Sequence, residues 1–146
     1  MPVTVKRILL WRKEAENRTG VLAEALEPFA KAKADLQVVM GYRYPDAENK
    51  CAIEISPVKG NKLTASAQVA GLTPSSIPTL LVEGDNKAGL GHAITKAIAD
   101  AGVNLSFLVA QVIGRRYSAV IGFENEADAE KAGALIKRAT LGKQKR

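Results

Sequence analysis

The stretch Asp85-Asn86-Lys87-Ala88-Gly89-Leu90 follows a short apolar run and precedes a helical pattern. A second stretch, Glu16-Asn17-Arg18-Thr19-Gly20-Val21, stands 69 residues earlier and matches it position by position. Both read acid, Asn, base, small residue, Gly and aliphatic residue. Because loops between strands and helices often carry binding residues, the repeated loop predicts two similar units with two similar sites.

The residues after the second loop predict a helix followed by two antiparallel strands. Apolar residues recur at helical spacing over 90–101, and Gly102 is suited to end that helix. Alternating apolar residues over 103–109 predict a strand, and a glycine turn leads into a second strand over 117–123. Asn125 then fits the N-cap of a last helix.

The first half of the chain predicts the same order of elements. The predicted elements are a strand over 8–12, a helix from Leu22, strands over 36–44 and 51–55, and a helix over 61–70 that Gly71 closes. Pro28 is expected to kink the first helix or to end it near Glu27. Residues 72–76 read as a linker, so the predicted domains are 1–73 and 74–146.

Each half therefore reads β-α-β-β-α, which predicts an α+β protein with two ferredoxin-like repeats. In this arrangement an antiparallel sheet is backed by two helices. The fourth strand of each sheet is weak or missing, because no strand-like run precedes Ile77 and residues 140–146 are too polar. We expect either a three-stranded edge or an edge covered by the other half or by a second chain.

This pattern resembles the ACT domain family of small amino-acid-binding regulatory modules. The resemblance rests on the Asp85 to Leu90 motif and on Gly102-Val103-Asn104-Leu105, which leads into the second strand. The first copy has Asp35 where Asn104 stands. The resemblance implies two ACT-like domains, with a ligand where the loop of one unit meets the strand or helix of another.

The candidate ligand residues lie in these motifs. They are Asp85, Asn86, Ala88, Gly89, Leu90 and Asn104 in the second copy, and Asn17, Thr19, Gly20 and Val21 in the first. Glycine allows close approach of a ligand to the backbone, and free N–H groups at a helix start favour a carboxylate. Asp85 and Glu16 can accept hydrogen bonds from an ammonium group. The alternative is that these residues serve only as turn and N-cap residues.

Catalytic and metal sites lack candidate residues in this sequence. His92 and Cys51 are the single His and Cys, which excludes a metal site of the Cys/His type. Ser118 has no neighbouring base that could activate it. We therefore expect a non-enzymatic protein without a cofactor or metal.

RNA binding is the alternative function from another class, because RNA-recognition motifs share the ferredoxin-like topology. The run from Arg115 to Gly122 matches the motif's base and first aromatic positions but has Ala119 and Gly122 at the other two stacking positions. We therefore expect Tyr117 and Phe123 in the core or an interface, and nucleic acid as an improbable partner. A third alternative is a regulatory subunit that docks on an enzyme and has lost its ligand.

Composition is that of a globular protein, with 47% hydrophobic and 25% charged residues and no apolar run that could span a bilayer. We expect a cytoplasmic homodimer that binds an amino acid or a related small carboxylate, with a regulated enzyme as a further partner. Five basic residues near the C-terminus account for most of the net charge of +6, and they predict a basic tail: Lys137, Arg138, Lys143, Lys145 and Arg146.

Overall fold

Two four-stranded antiparallel sheets and four helices make up the fold in a computed structural model that describes residues 2–142. The strands are β1 (Val3–Ile8), β2 (Trp11–Glu16), β3 (Val38–Tyr44), β4 (Ala47–Ser56), β5 (Thr73–Pro74), β6 (Thr79–Asp85), β7 (Leu105–Ile113) and β8 (Arg116–Phe123). The helices are α1 (Val21–Lys31), α2 (Gly60–Ala70), α3 (Leu90–Asp100) and α4 (Glu126–Gly142).

One compact unit spans Leu9–Ser76, and we call it the inserted unit. Its elements follow one another along the chain as βαββαβ, and its strands lie in the order β3-β4-β2-β5. Both are typical of a ferredoxin-like fold. The core of this unit is a cluster of buried apolar side chains from its helices, its sheet and the segment between α2 and β5. Its buried members include Phe29, Ile53, Ile55, Ala67 and Leu72.

The other unit combines Met1–Ile8 with Ile77–Arg146, and we call it the split unit. Its sheet has the order β1-β6-β8-β7, which is the same arrangement with the fourth strand supplied by the start of the chain. The core includes the fully buried residues Val82, Ile94, Phe123 and Ile136.

The division of the chain thus differs from the predicted boundary between residues 73 and 74. β1 pairs with β6 along its whole length, with Val3 opposite Gly84 and Ile8 opposite Thr79. The predicted strand over 8–12 is also wrong, because β1 ends at Ile8 and β2 begins at Trp11. Lys6 and Arg7 interrupt the alternation of apolar and polar residues in β1, so the sequence did not predict this strand. An edge strand tolerates such charged residues well.

The fourth strands differ greatly in length. β1 has six residues, whereas β5 has two and pairs only with Trp11 and Arg12. The weak fourth strand predicted for the first half is therefore present as a short edge. In the split unit, β1 is the edge strand at the position where the sequence indicated a weak or missing fourth strand.

Helix ends follow the sequence signals with one exception. Gly71 and Gly102 adopt φ of +81° and +72°, and the Asp128 N–H donates to Asn125 Oδ1 at 2.8 Å, as predicted for caps. The expected helix end near Glu27 is wrong, because α1 continues through Pro28 to Lys31. Proline removes only its own N–H donor, and the Pro28 carbonyl still accepts a hydrogen bond from the Ala32 N–H.

The predicted basic tail lies partly outside the described residues. Lys137 and Arg138 belong to α4, whereas Lys143, Lys145 and Arg146 are beyond residue 142. Among the helices in the described part of the chain, none has the length and apolar character needed to cross a membrane.

Candidate functional site

The loop between β6 and α3 holds a tight backbone turn at Gly89, whose φ is +86°. Glycine is the residue that takes this left-handed conformation without strain. The Leu90 N–H donates to the Lys87 carbonyl, and no side chain in the described part of the chain caps the start of α3. The loop therefore presents helix N–H groups, with their partial positive charge, at an exposed end of the split unit.

Polar side chains surround this helix start. Asp85 accepts a hydrogen bond from Arg116 Nη1 at 2.9 Å, and both side chains are about 60% exposed. The Asn86 N–H donates to the Arg115 carbonyl at 2.7 Å, which fixes the loop to the β7–β8 turn. Within the described residues, the side chains of Asn86 and Lys87 have no hydrogen-bond or ion-pair partner. They are available to a ligand.

Tyr117 lies beneath the same helix start, a position that the sequence did not suggest. Its ring is buried in the split-unit core, and its hydroxyl lies 3.5 Å from where a Cβ on Gly91 would be. Burial raises the pKa of this phenol, so the hydroxyl stays protonated at neutral pH. Its position opposite Gly84, next to the Asp85–Arg116 pair in the β6–β8 register, could be found only from the strand pairing.

The loop between β2 and α1 repeats the backbone. Gly20 adopts φ of +84°, the Val21 N–H donates to the Arg18 carbonyl, and no side chain caps α1. The Asn17 N–H donates to the Asn49 carbonyl at 2.8 Å, as Asn86 does to Arg115. The duplication predicted from the sequence is therefore present in backbone geometry as well.

The side chains of this first loop are more occupied. Arg18 forms two hydrogen bonds with Glu24, at 3.0 and 2.8 Å, and these lower the pKa of that carboxyl group. The Asn17 side-chain amide donates to the Glu48 carbonyl at 3.0 Å. Lys50, which stands opposite Glu16 in the sheet, is paired with Glu14 at 3.6 Å.

An open cavity of about 340 Å³ lies near the end of β2 in the inserted unit. Its lining includes Glu14, Glu16, Asn49 and Lys50. Only Glu16 of these residues belongs to the loop motif, so the sequence did not single out the other three. Their convergence depends on the pairing of β2 with β4.

The structure does not bring every predicted site residue together. Asp85, Asn86, Ala88 and Gly89 form one exposed loop, whereas the Leu90 side chain is buried in the core. Asn104 precedes β7, at the end of the sheet opposite Asp85, because Asp85 pairs with Arg116 while Leu105 pairs with Phe123. At the usual strand rise, the nine residues of β7 span about 26 Å between these ends.

In comparisons with known proteins, no protein-family model and no curated protein matches the sequence. Solved structures match nearly the whole chain. Protein BT0572 from Bacteroides thetaiotaomicron is 16% identical with a TM-score of 0.70, over 94% of this chain and 90% of that one. The ligand-free regulatory subunit of aspartate kinase from Thermus thermophilus is 14% identical with a TM-score of 0.64, over 95% and 97%.

The corresponding subunit from Thermus flavus is 15% identical with a TM-score of 0.60, over 96% of this chain and 97% of that one. The fold is that of tandem ACT domains. The fold class predicted from the sequence is thereby confirmed.

The ACT-like fold also bears on the RNA alternative. Tyr117 is 7% exposed and Phe123 is fully buried, so neither ring can stack on a base.

Within the described residues, no group of three or more His, Cys, Asp or Glu side chains is placed to hold a metal ion. Cys51 is buried in β4 with a free thiol.

Proposed function

We propose that this protein is a non-catalytic regulatory module that binds a free amino acid or a related small carboxylate at the Asp85 to Leu90 loop. The observation that carries the proposal is the start of α3 behind Gly89, which has no side-chain cap, beside the Asn86 and Lys87 side chains, which have no partner in the described part of the chain. A carboxylate fits the helix N–H groups, because both the dipole and the hydrogen-bond donors favour an anion. Asp85 then receives the ammonium group.

The difference between the two loops supports the second as the binding loop. Asn86 and Lys87 can turn to a ligand without breaking a contact, whereas Asn17 and Arg18 already bond Glu48 and Glu24. The Asp85–Arg116 pair is exposed, so separating it costs little free energy. Ligand binding at the first loop would first have to displace protein partners.

A homodimer would complete this site. β7 is an edge strand without a charged residue, and Val109 and Ile113 are 50% and 67% exposed. Unprotected edges of this kind favour pairing with another strand. Antiparallel pairing of β7 with β7 of a second copy would set that copy's Asn104 beside the Asp85 loop, as the family resemblance implies for a ligand site between units.

Regulation of a separate enzyme is the remaining part of the proposal. The solved structures of similar fold include regulatory subunits of aspartate kinase, which supports an analogous role here. A ligand that binds one packing of the two copies more tightly would shift the population toward that packing. The enzyme partner would respond to this shift.

Thermal unfolding in the presence of each of the twenty amino acids tests the ligand. A ligand at one hundred times its dissociation constant adds about 2.7 kcal/mol to stability. We expect one or more to raise the melting temperature, and Asp85→Ala to abolish the rise while the matched Glu16→Ala retains it. If no amino acid changes the melting temperature, the binding proposal is wrong, and the ligand-free docking subunit becomes the better interpretation.

Sedimentation of Val109→Asp tests the dimer independently. A charge in the centre of β7 should convert a dimer to a monomer, whereas Thr4→Asp on the opposite edge of the sheet should leave it intact. Retention of the dimer in Val109→Asp would exclude pairing through β7.

A further inference from the structure

A groove of about 510 Å³ runs between β1 and α4 in the split unit. Val5 and Leu80 line its floor, and α4 contributes the small residues Ala129, Gly133 and Ala134. A Cβ on Gly133 would lie 3.5 Å from Val5 and 3.6 Å from Leu80, so the helix packs closely there. The small side chains leave room beside the strand for one aliphatic group.

Charged side chains of opposite sign stand at the two ends of this groove. The side chains of Glu130 and Lys137 have no hydrogen bond or ion pair within the described residues. They lie seven residues apart on α4, about 10 Å along the helix. Arg7 and Glu126 are already joined by two hydrogen bonds of 2.8 and 2.7 Å, so they offset each other.

The groove borders an unpaired strand edge. β1 pairs with β6 on one side only, so half of its backbone N–H and C=O groups point away from the sheet. α4 runs antiparallel to β1, since its start contacts Arg7 and Gly133 faces Val5. Glu130 therefore lies toward the Arg7 end of the strand, and Lys137 lies toward the Val3 end.

We infer that the β1–α4 groove binds an extended peptide of a partner protein by strand addition to β1. Backbone hydrogen bonds to the edge supply affinity, and alternate side chains that enter the groove supply specificity. An antiparallel peptide, which is the more stable pairing, passes Glu130 before Lys137. The complementary sequence is a base, any residue, an aliphatic residue, any residue and an acid.

This surface is separate from the loop site, so the inference stands whether or not an amino acid binds. Its probe is a capped peptide with the core Lys-Thr-Leu-Thr-Glu, titrated into the full-length protein and followed by the backbone amide signals of β1 in NMR. We expect the amide shifts to centre on Val3–Ile8. Gly133→Leu should abolish binding because the leucine occupies the aliphatic pocket.

Charge reversal keeps the test valid if Gly133→Leu fails to fold. Glu130→Lys with Lys137→Glu changes only exposed side chains, and each mismatched charge should weaken the original peptide up to about fivefold. The doubly reversed protein should instead prefer the peptide Glu-Thr-Leu-Thr-Lys. Equal binding of both peptides to both proteins, shifts outside β1 and α4, or equal shifts from leucine amide alone would overturn the inference.

Discussion

The β2–α1 segment of the inserted unit and the β6–α3 segment of the split unit have the same loop backbone, but different side chains are buried under their helices. Five residues after the loop glycine stands Ala25 in the inserted unit and Ile94 in the split unit, and nine residues after it stand Phe29 and Ile98. All four are buried. The inserted unit thus has a small and a large side chain where the split unit has two isoleucines of intermediate size. The fold therefore requires that the space under the helix be filled, and it does not require particular residues there.

Truncation of the buried residue nine positions after each glycine should have the largest effect on stability. Phe29→Ala should lower the free energy of unfolding by about 3–5 kcal/mol, and Ile98→Ala by about 2–5 kcal/mol, because each leaves a cavity. Chemical denaturation measures both losses, and the fluorescence of Trp11 reports on the inserted unit, against whose core it packs.

Val69→Ala is the matched control, since Val69 is 79% exposed and its truncation should change stability by less than about 0.5 kcal/mol. A loss below 1 kcal/mol for Phe29→Ala would mean that the inserted unit fills this space in another way.

A second contrast lies on the strand opposite each loop. Lys50 lies opposite Glu16 in the inserted unit, and Arg116 lies opposite Asp85 in the split unit. Lys50 and Arg116 are therefore equivalent positions. Four residues further along the same strands, Glu54 is equivalent to Val120. Glu54 is fully buried, and its Oε2 accepts a hydrogen bond from the Tyr42 hydroxyl at 2.7 Å. Its Oε1 has no hydrogen-bond partner among residues 2–142. Burial and this hydrogen bond raise the pKa of Tyr42 to about 12.

Tyr42→Phe should therefore lower the free energy of unfolding by about 1–3 kcal/mol, because it deprives the buried carboxylate of its donor. Tyr44→Phe, which removes a donor to the exposed Glu14 and an acceptor for Arg12 Nη2, should cost less than Tyr42→Phe, because its partners are not fully buried. Denaturation of the double variant Tyr42→Phe with Glu54→Val should recover much of the loss, since it restores the valine of the split unit. No recovery would show that Glu54 has a further role in the fold.

Local signals allowed much of this fold to be predicted. The caps at Gly71, Gly102 and Asn125 depend on a few neighbouring residues, and the helical spacing over 90–101 lies within one element. β1 could not be found in this way. Its partner strand ends at Asp85, and the pairing of Val3 with Gly84 joins residues 81 positions apart.

For the candidate site, the sequence likewise indicated the contiguous loop residues and did not indicate the residues that strand pairing brings next to them. The loop residues are contiguous, so the Gly89 turn followed from the sequence, whereas Arg116 and Tyr117 reach it only through strand pairing. Asn104 was grouped with the loop by family resemblance. The length of β7 separates Asn104 from the Asp85 loop within one unit, which no local sequence signal indicated.

Replacement of the loop glycines should produce two equal effects. Gly20→Ala and Gly89→Ala should each cost about 1–2 kcal/mol, the price of a Cβ in the left-handed region. No atom of the described residues, other than those of the chain neighbours, lies within 4 Å of the added Cβ at either position, so the cost is conformational in both units. Thermal or chemical denaturation measures it. Gly133→Ala is a control without positive φ, and unequal losses at the two loops would break their equivalence.

The smallest expected effect concerns the exposed ion pair in each unit, Arg18–Glu24 and Arg7–Glu126. Hydrogen bonds from arginine hold the pKa of both carboxyl groups below the ordinary glutamate value. A carboxyl whose pKa is lower in the folded state stabilises the protein above its unfolded pKa, and this contribution disappears as the pH falls through the folded pKa.

Glu24→Gln and Glu126→Gln should therefore lower the melting temperature slightly at pH 7 and leave it equal to that of the unchanged protein in acid. Because both pairs are exposed, 1 M salt should shrink the difference at pH 7. Glu130→Gln, which removes a carboxylate without a described partner, should show neither dependence. A deficit that persists in acid for Glu126→Gln alone would mean that this residue supports the β1–α4 contact by packing, and the two ion pairs would then no longer be equivalent.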